Sequence, residues 1–218
     1  MRILIIGAGN MGRGIATRLV AGGNEITLHD VDPAKSEALA TELRGTTPGR
    51  ARVAVADTPA AAAPASDVVI LASWYGANLD LARRLGAALD GKVVVDISNP
   101  LNETYDGLVT APGTSAAETI RAALPAGAKL VKAFNTTFAG TLVAGQVAGQ
   151  PLDVFIAGDD QGAKDTIAEL ARAGGLRPID VGALERARQL EGLGFLGITL
   201  QGRLGTQFDT AWKLVLPR

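Results

Sequence analysis

Four apolar residues, Ile3-Leu4-Ile5-Ile6, run directly into Gly7-Ala8-Gly9-Asn10-Met11-Gly12. A short apolar run closed by a turn predicts a buried strand. Met11, Ile15 and Leu19 then recur at helical spacing, so the glycines stand between a strand and a helix. A strand that turns sharply into a helix needs Gly7 for its tight backbone, Gly9 so that the chain can approach a pyrophosphate, and Gly12 so that the helix lies close on the sheet. Free N–H groups at the helix start, with the positive end of its dipole, then face phosphate. The pattern predicts the first turn of a dinucleotide-binding fold, with Gly7, Ala8, Gly9, Asn10, Met11 and Gly12 around the cofactor.

Beyond this turn, strands and helices alternate. Gly22-Gly23-Asn24 stops the first helix, and Glu25-Ile26-Thr27-Leu28-His29 alternates as a strand. Asp32-Pro33 reads as the start of a helix reaching about Leu43, and Gly45 to Gly49 as a loop. Val53 and Val55, Val68-Val69-Ile70-Leu71, Lys92 to Ile97 and Lys129 to Phe134 predict four more strands. Between them come an alanine-rich link from Ala60 to Ala65, a helix marked by Leu81, Leu85 and Leu89, and a helix opened by the capping box Ser115-Ala116-Ala117-Glu118. Six strands alternating with helices make an α/β doubly wound parallel sheet of the Rossmann type, in the order 3-2-1-4-5-6. Residues 1–150 form this dinucleotide-binding domain, and 151–218 a smaller α/β and helical C-terminal extension packed on it. In that extension Ala183 to Leu200 reads as helical. Glycines 192, 194 and 197 either let another helix, a second subunit or a flat ligand come close, or leave the tail loosely ordered.

In an open α/β sheet, ligands gather outside the carboxyl ends of strands, and here those ends are polar or aromatic. Asp30 closes the second strand 18 residues beyond Gly12, near the ~20 expected of the acid that binds the adenosine ribose 2′-OH. A carboxylate there repels a 2′-phosphate and favours NAD over NADP; the plainer alternative is a turn cap. Ala72-Ser73-Trp74 follows the fourth strand, Asn99-Pro100 the fifth, and Asn135-Thr136-Thr137 the sixth after Ala133. Trp74 faces ligand or joins the core, and Asn99 meets the nicotinamide end or starts a turn.

The single histidine, His29, lies where the adenosine half of a cofactor belongs, so a histidine–carboxylate proton relay is not expected. With no cysteine, disulfides, thiolate nucleophiles and a thiolate zinc site are excluded, and no metal site is expected. The net charge of -1, without a basic run, argues against nucleic acid and anionic membrane as partners. No apolar stretch approaches the ~18 residues of a membrane span. The expectation is a cytoplasmic protein acting on a small-molecule redox substrate.

The residues also resemble a known family: the NADP-dependent reductases of the deazaflavin coenzyme F420, with the related oxidoreductase domain of six-transmembrane metalloreductases. Besides the glycine turn, the likeness rests on Trp74, Lys132-Ala133-Phe134-Asn135-Thr136, Gly158-Asp159-Asp160, Gly175-Leu176-Arg177-Pro178, Asp180, Gly182, and Arg188 with Glu191. It implies hydride transfer between a nicotinamide and a flat F420 or flavin ring, which needs positioning more than a side-chain acid. Trp74, Pro100, Asn135 and Thr137 would border that site, and the glycine-rich tail would help close a ring pocket and a homodimer interface. Where the family's NADP users resemble a serine–arginine pair, this chain has Asp30 and Val31, with Lys35 as the basic residue further along; both changes favour NAD. Two rivals stay open. One is a reductase of a small imine or carbonyl, with Tyr75, Tyr105 or Lys132 as proton donor. The other is a sensor that binds dinucleotide without turnover.

Overall fold

A computed structural model describes residues 1–46 and 52–217. The chain opens with β1 (Arg2–Ile6), α1 (Asn10–Ala21), β2 (Glu25–His29), α2 (Pro33–Thr46), β3 (Val53–Val55), α3 (Pro59–Ala62) and β4 (Val68–Leu71). It continues through α4 (Tyr75–Leu85), β5 (Val93–Asp96), α5 (Ala116–Ala123), β6 (Lys129–Lys132), α6 (Ala139–Ala144) and the short strands β7 (Gln146–Val147) and β8 (Gln150–Pro151). It closes with β9 (Asp153–Gly158), α7 (Gln161–Ala173), β10 (Arg177–Gly182) and α8 (Ala187–Leu204).

One eight-stranded sheet runs β10-β9-β6-β5-β4-β1-β2-β3, so the expected 3-2-1-4-5-6 order is present and is extended by two strands. The six expected strands, β1 to β6, all pair in parallel, and the one reversed pairing is made by the extension. β9 pairs antiparallel with β6, through Val131 opposite Gly158 and Lys132 opposite Ala157, while β10 returns parallel to β9. An apolar strand buried on both faces carries no sign of its direction, and the β6–β9 link, with α6 and the β7–β8 ribbon, delivers the chain at the end from which it runs backwards.

Residues successive along a strand point to opposite faces, and the core obeys this. Ile3, Ile5, Val68 and Ile70 meet Ile15 and Leu19 of α1, Leu39 of α2 and Ile167 of α7 on one face. Leu4, Ile6, Val69 and Leu71 meet Leu81 of α4 and Ile120 of α5 on the other. The first cluster also takes in Val154 and Ile156 of β9, so segment 151–218 shares its core with the rest.

Helix boundaries follow local chemistry. Asp32 Oδ1 accepts the Ala34 N–H at the start of α2 (3.1 Å), and Ser115 Oγ accepts the Glu118 N–H (3.1 Å), as the capping pattern requires. α2 runs on to Thr46, so Gly45 is helical rather than the start of a loop; the rest of that expected loop, 47–49, lies outside the described residues. α8 is an 18-residue helix despite its glycines, and two of these meet neighbours. A Cβ on Gly194 would lie 2.5 Å from Asn99 Oδ1, and one on Gly197 3.0 Å from Trp212 Nε1. Tertiary contact thus outweighs the propensity cost of ~1 kcal/mol per glycine. Beyond α8 the chain returns to β9, where the buried Asp153 receives Arg177 Nε (2.7 Å), Lys213 Nζ (2.7 Å) and the Leu214 N–H (2.8 Å). Despite its burial, these donors hold the Asp153 carboxyl below the usual carboxylate range. Among the described residues no helix is long and apolar enough to cross a membrane.

Candidate functional site: the carboxyl ends of β1, β4, β5 and β6

The glycine turn separates into three roles. A Cβ on Gly12 would sit 1.9 Å from the Gly7 carbonyl oxygen, and one on Gly7, whose φ is +115°, would sit 2.4 Å from the Ala72 oxygen. Both glycines are demanded by the protein itself: Gly7 lets the end of β4 lie against the turn, and Gly12 lets α1 start directly over it. Gly9 differs, because a Cβ there meets nothing within 4 Å. Its backbone, at φ -74° and ψ -169°, is open to any residue, so the freedom it leaves is outward space. Gly9 caps α1, no side chain caps that helix, and its first turn carries no acidic residue. Uncapped N–H groups beside open space suit a phosphate, so the turn fits the pyrophosphate of a dinucleotide.

Asp30 stands beside this turn. Its Oδ2 accepts the Ala8 N–H (2.7 Å) and its Oδ1 the Asp32 N–H (3.0 Å). It is therefore a turn cap, and it also places a carboxylate at the rim of the cradle, with Ala8 N–H already satisfied. Val31 is 93% exposed, and Lys35 is exposed on the first turn of α2. His29 Nδ1 lies 3.0 Å from the Ala56 carbonyl, on the β2–β3 side.

The other strand ends are tied together beneath the surface. Asn78, fully buried on α4, donates to the Leu71 carbonyl (2.9 Å) and to Asp96 Oδ1 (3.0 Å), and accepts the Ser73 N–H (3.2 Å). Asp96 Oδ1 also accepts from Ser98 Oγ (2.7 Å). Lys132 Nζ meets Asp96 Oδ2 (2.7 Å), Glu191 Oε1 (2.9 Å) and the Ser98 carbonyl, so its three N–H donors all have partners. The side chain is 0% exposed. Burial alone lowers its pKa, but the two carboxylates outweigh burial and hold it above the ordinary value of 10.5. Glu191 in turn accepts the N–H groups of Ala116 (2.9 Å) and Ala117 (3.2 Å) at the start of α5. Arg188, one turn earlier on α8, pairs with Glu118 through Nε (2.9 Å), and this holds the Glu118 carboxyl down. Both α8 residues thus fasten that helix to the first turn of α5.

Above this lies an asparagine clasp. Asn99 Nδ2 donates to the Asn135 carbonyl (2.9 Å), and Asn135 Nδ2 donates to Asn99 Oδ1 (2.9 Å) and the Leu190 carbonyl (2.8 Å). Backbone carbonyls only accept, so both amide orientations are fixed. Asn135 Oδ1 is left as a buried acceptor without a partner among the described residues. Pro100, Ala133 and Thr137 are also buried, with Thr137 Oγ1 donating to the Phe134 carbonyl (2.7 Å). Of the residues expected at the hydride site, Trp74 is widely exposed, at 67%, and Asn99 and Ser73 partly so. Trp74 is therefore not a core residue. Asn78 and Ser98 were not among the residues expected at the site; an isolated polar residue on an apolar helix face was the available signal for Asn78. Two shallow clefts, around Glu118, Asp159 and Leu184 and around Lys129 and Asp160, lie elsewhere, the second beside the amino end of β6.

Residues 2–100 match the model of the family described as NADP oxidoreductase, coenzyme F420-dependent. The F420-dependent NADP reductase of Methanothermobacter marburgensis is 30% identical over 200 residues, covering 88% of each chain. The rat metalloreductase STEAP3 is 32% identical over 192 residues, 88% of this chain but 36% of its own length. A solved structure from Arthrobacter sp. FB24, provisionally named an F420-dependent NADP reductase, superposes with a TM-score of 0.81 at 31% identity, over 98% of this chain and 99% of that one. The glycine cradle and strand ends described above thus belong to a Rossmann-like member of the F420-dependent NADP oxidoreductase family.

Proposed function

We propose that this protein transfers a hydride between a nicotinamide dinucleotide and the flat ring of coenzyme F420 or a flavin. The observation that carries the reading is the state of Lys132. The lysine nearest the strand ends has every N–H committed to Asp96, Glu191 and Ser98, with its pKa raised, so it has no proton to give a substrate. Chemistry that needs only positioning suits such a site, whereas reduction of an imine or carbonyl would have to draw its proton from Tyr75 or from the exposed phenol of Tyr105 beside Trp74. The bound nicotinamide supplies or accepts the hydride. Gly9 and the start of α1 would hold its pyrophosphate, with Gly7, Ala8, Asn10, Met11 and Gly12 shaping the turn. Asp30, Val31 and Lys35 would face the adenosine ribose. Ala72, Ser73, Asn99, Ala133 and Asn135 would line the nicotinamide end, where Asn135 Oδ1 is an unmet acceptor of the kind a carboxamide satisfies. Trp74, Pro100, Asn135 and Thr137 would border the ring-to-ring contact.

Asp30 favours NAD, because its carboxylate repels a 2′-phosphate and Val31 offers no charge-assisted contact to one. A homodimer in the cytoplasm, residues 1–150 binding cofactor and 151–218 closing the ring site, completes the reading. Oxidation of NADH and NADPH, followed anaerobically against F420, FMN and a small cyclic imine, tests it. Turnover is expected with the tricyclic rings, and with NADH at least as well as with NADPH. Imine reduction without ring turnover overturns the function, and NADPH binding more than about tenfold tighter than NADH overturns the role of Asp30.

A further inference from the structure

Trp74 does not stand alone at the strand ends. The chain leaving β5 forms a small hairpin, closed by an antiparallel bridge between Leu101 and Leu108 and by the Val109 N–H on the Pro100 carbonyl (2.8 Å). Tyr105 is at its tip, in the left-handed region (φ 57°), a conformation that a bulky side chain rarely adopts and that its surroundings must hold. They do so. Asp106 Oδ1 accepts from Asn102 Nδ2 (2.6 Å) and Thr104 Oγ1 (2.7 Å), and Asn102 Oδ1 accepts the Asp106 N–H (3.0 Å). These donors keep the Asp106 carboxyl below its ordinary pKa, so the clamp persists at neutral pH.

The braced tip presents the phenol ring to the indole of Trp74, edge to face, with centroids 6.4 Å apart and planes at 68°. Trp74 is 67% exposed and Tyr105 46%. Two large aromatic rings held in contact with each other yet open to solvent, one on the end of β4 and one on the hairpin rooted at Asn99-Pro100, form a corner with one flat wall and one upright wall. Burying these rings would gain apolar area, and aromatic faces accept other flat rings in offset stacks or edge contacts. The hydroxyl of Tyr105 is not needed for either contact.

We infer that Trp74 and Tyr105 form the docking corner for the hydride acceptor, and that the corner selects planar fused heteroaromatic rings over small imines and carbonyls. The inference rests on the proposed function and assigns Tyr105, with the hairpin that braces it, as a specificity-determining contact. Deazaflavin and flavin share the ring geometry the corner recognises.

Trp212 is the only other tryptophan, so the Trp212→Phe protein carries one indole, and stacking on it is read directly as quenching of its emission. Titration with F420 and separately with FMN should give saturable quenching with at least one. Quenching by F420 alone identifies the deazaflavin as the source, and quenching by both identifies a general tricyclic ring site. In that background Tyr105→Ala should raise the ring's dissociation constant about tenfold, while Tyr105→Phe leaves it unchanged and neither alters NADH affinity. Absence of quenching by either ring, equal quenching in Tyr105→Ala, or a Tyr105→Phe loss matching Tyr105→Ala overturns the inference. Hydride transfer to either ring without quenching defeats only the corner, whereas quenching without any turnover defeats the proposed function and leaves the ring site standing.

Discussion

Replacing Lys132 by methionine is expected to destabilise the protein by about 3–5 kcal/mol, because it strips the common partner from two carboxylates in the interior. Asp96 is 0% exposed and Glu191 1%, and water cannot take the place of the ammonium. Methionine keeps the length of the stem and offers no donor. Glu191→Gln should cost less, since an amide oxygen still accepts an N–H from the start of α5 and Lys132 keeps Asp96. The pH dependence has a defined sign. The folded pKa of Lys132 lies above its ordinary 10.5, so its contribution is complete below that value and disappears as pH rises through the folded pKa. Urea denaturation across pH therefore has two readouts: a large gap between wild type and Lys132→Met at neutral pH, and a gap that narrows in alkali. A gap below about 1 kcal/mol at neutral pH would place the triad with surface ion pairs.

The second large effect separates the two kinds of glycine in the turn. Gly12→Ala puts a methyl 1.9 Å from a backbone oxygen, and neither side can retreat without moving α1 off the sheet. A loss of ~1–3 kcal/mol is expected from such overpacking, lowering the melting temperature by several degrees. Gly9→Ala meets no atom within 4 Å and no backbone strain, so its melting temperature should stay at the wild-type value. Its dissociation constant for NADH and NADPH should nevertheless rise about tenfold or more, because the methyl occupies the space assigned to pyrophosphate. Calorimetry of both variants, with and without dinucleotide, measures the two effects separately. Unchanged affinity in Gly9→Ala would remove the phosphate from this turn.

The contrast between those glycines shows what local pattern can and cannot carry. The strand, turn and helix at the start were legible because each is a short-range demand: an apolar run, a positive φ at Gly7, helical spacing from Met11. The capping box at Ser115 and the cap at Asp32 were legible for the same reason. The direction of β9 was not, since Val154-Phe155-Ile156-Ala157 packs equally well either way and the decision falls to its link with β6. The glycines of α8 suggested close approach, but only the fold shows Asn99 and Trp212 as the neighbours.

The site divides similarly. Placing Asp30, Trp74, Asn99 and Asn135 at strand ends followed from topology, which the strand pattern carries. Their partners did not follow. Asp96, Lys132 and Glu191 come together from β5, β6 and α8, and nothing in the run Lys129-Leu130-Val131-Lys132 distinguishes the buried Lys132 from the exposed Lys129 except its alternate register. That register decides its role, turning a candidate proton donor into a structural cation. The exposure of Trp74 depends on the β5 hairpin lying beside it rather than over it, a long-range outcome that residue type could not settle.

Transfer of isotope from cofactor to acceptor tests direct ring-to-ring chemistry most plainly. NADH and NADPH deuterated at C4 of the nicotinamide, in either stereochemical position, should pass the label to C5 of F420 in ordinary water. One of the two positions should transfer and the other should not, because a fixed stack exposes one face of the nicotinamide. Label that appears in the reduced ring from a single face supports the account. Label lost wholly to water while F420 is reduced, or delivered to an imine while F420 and flavin stay oxidised, contradicts it.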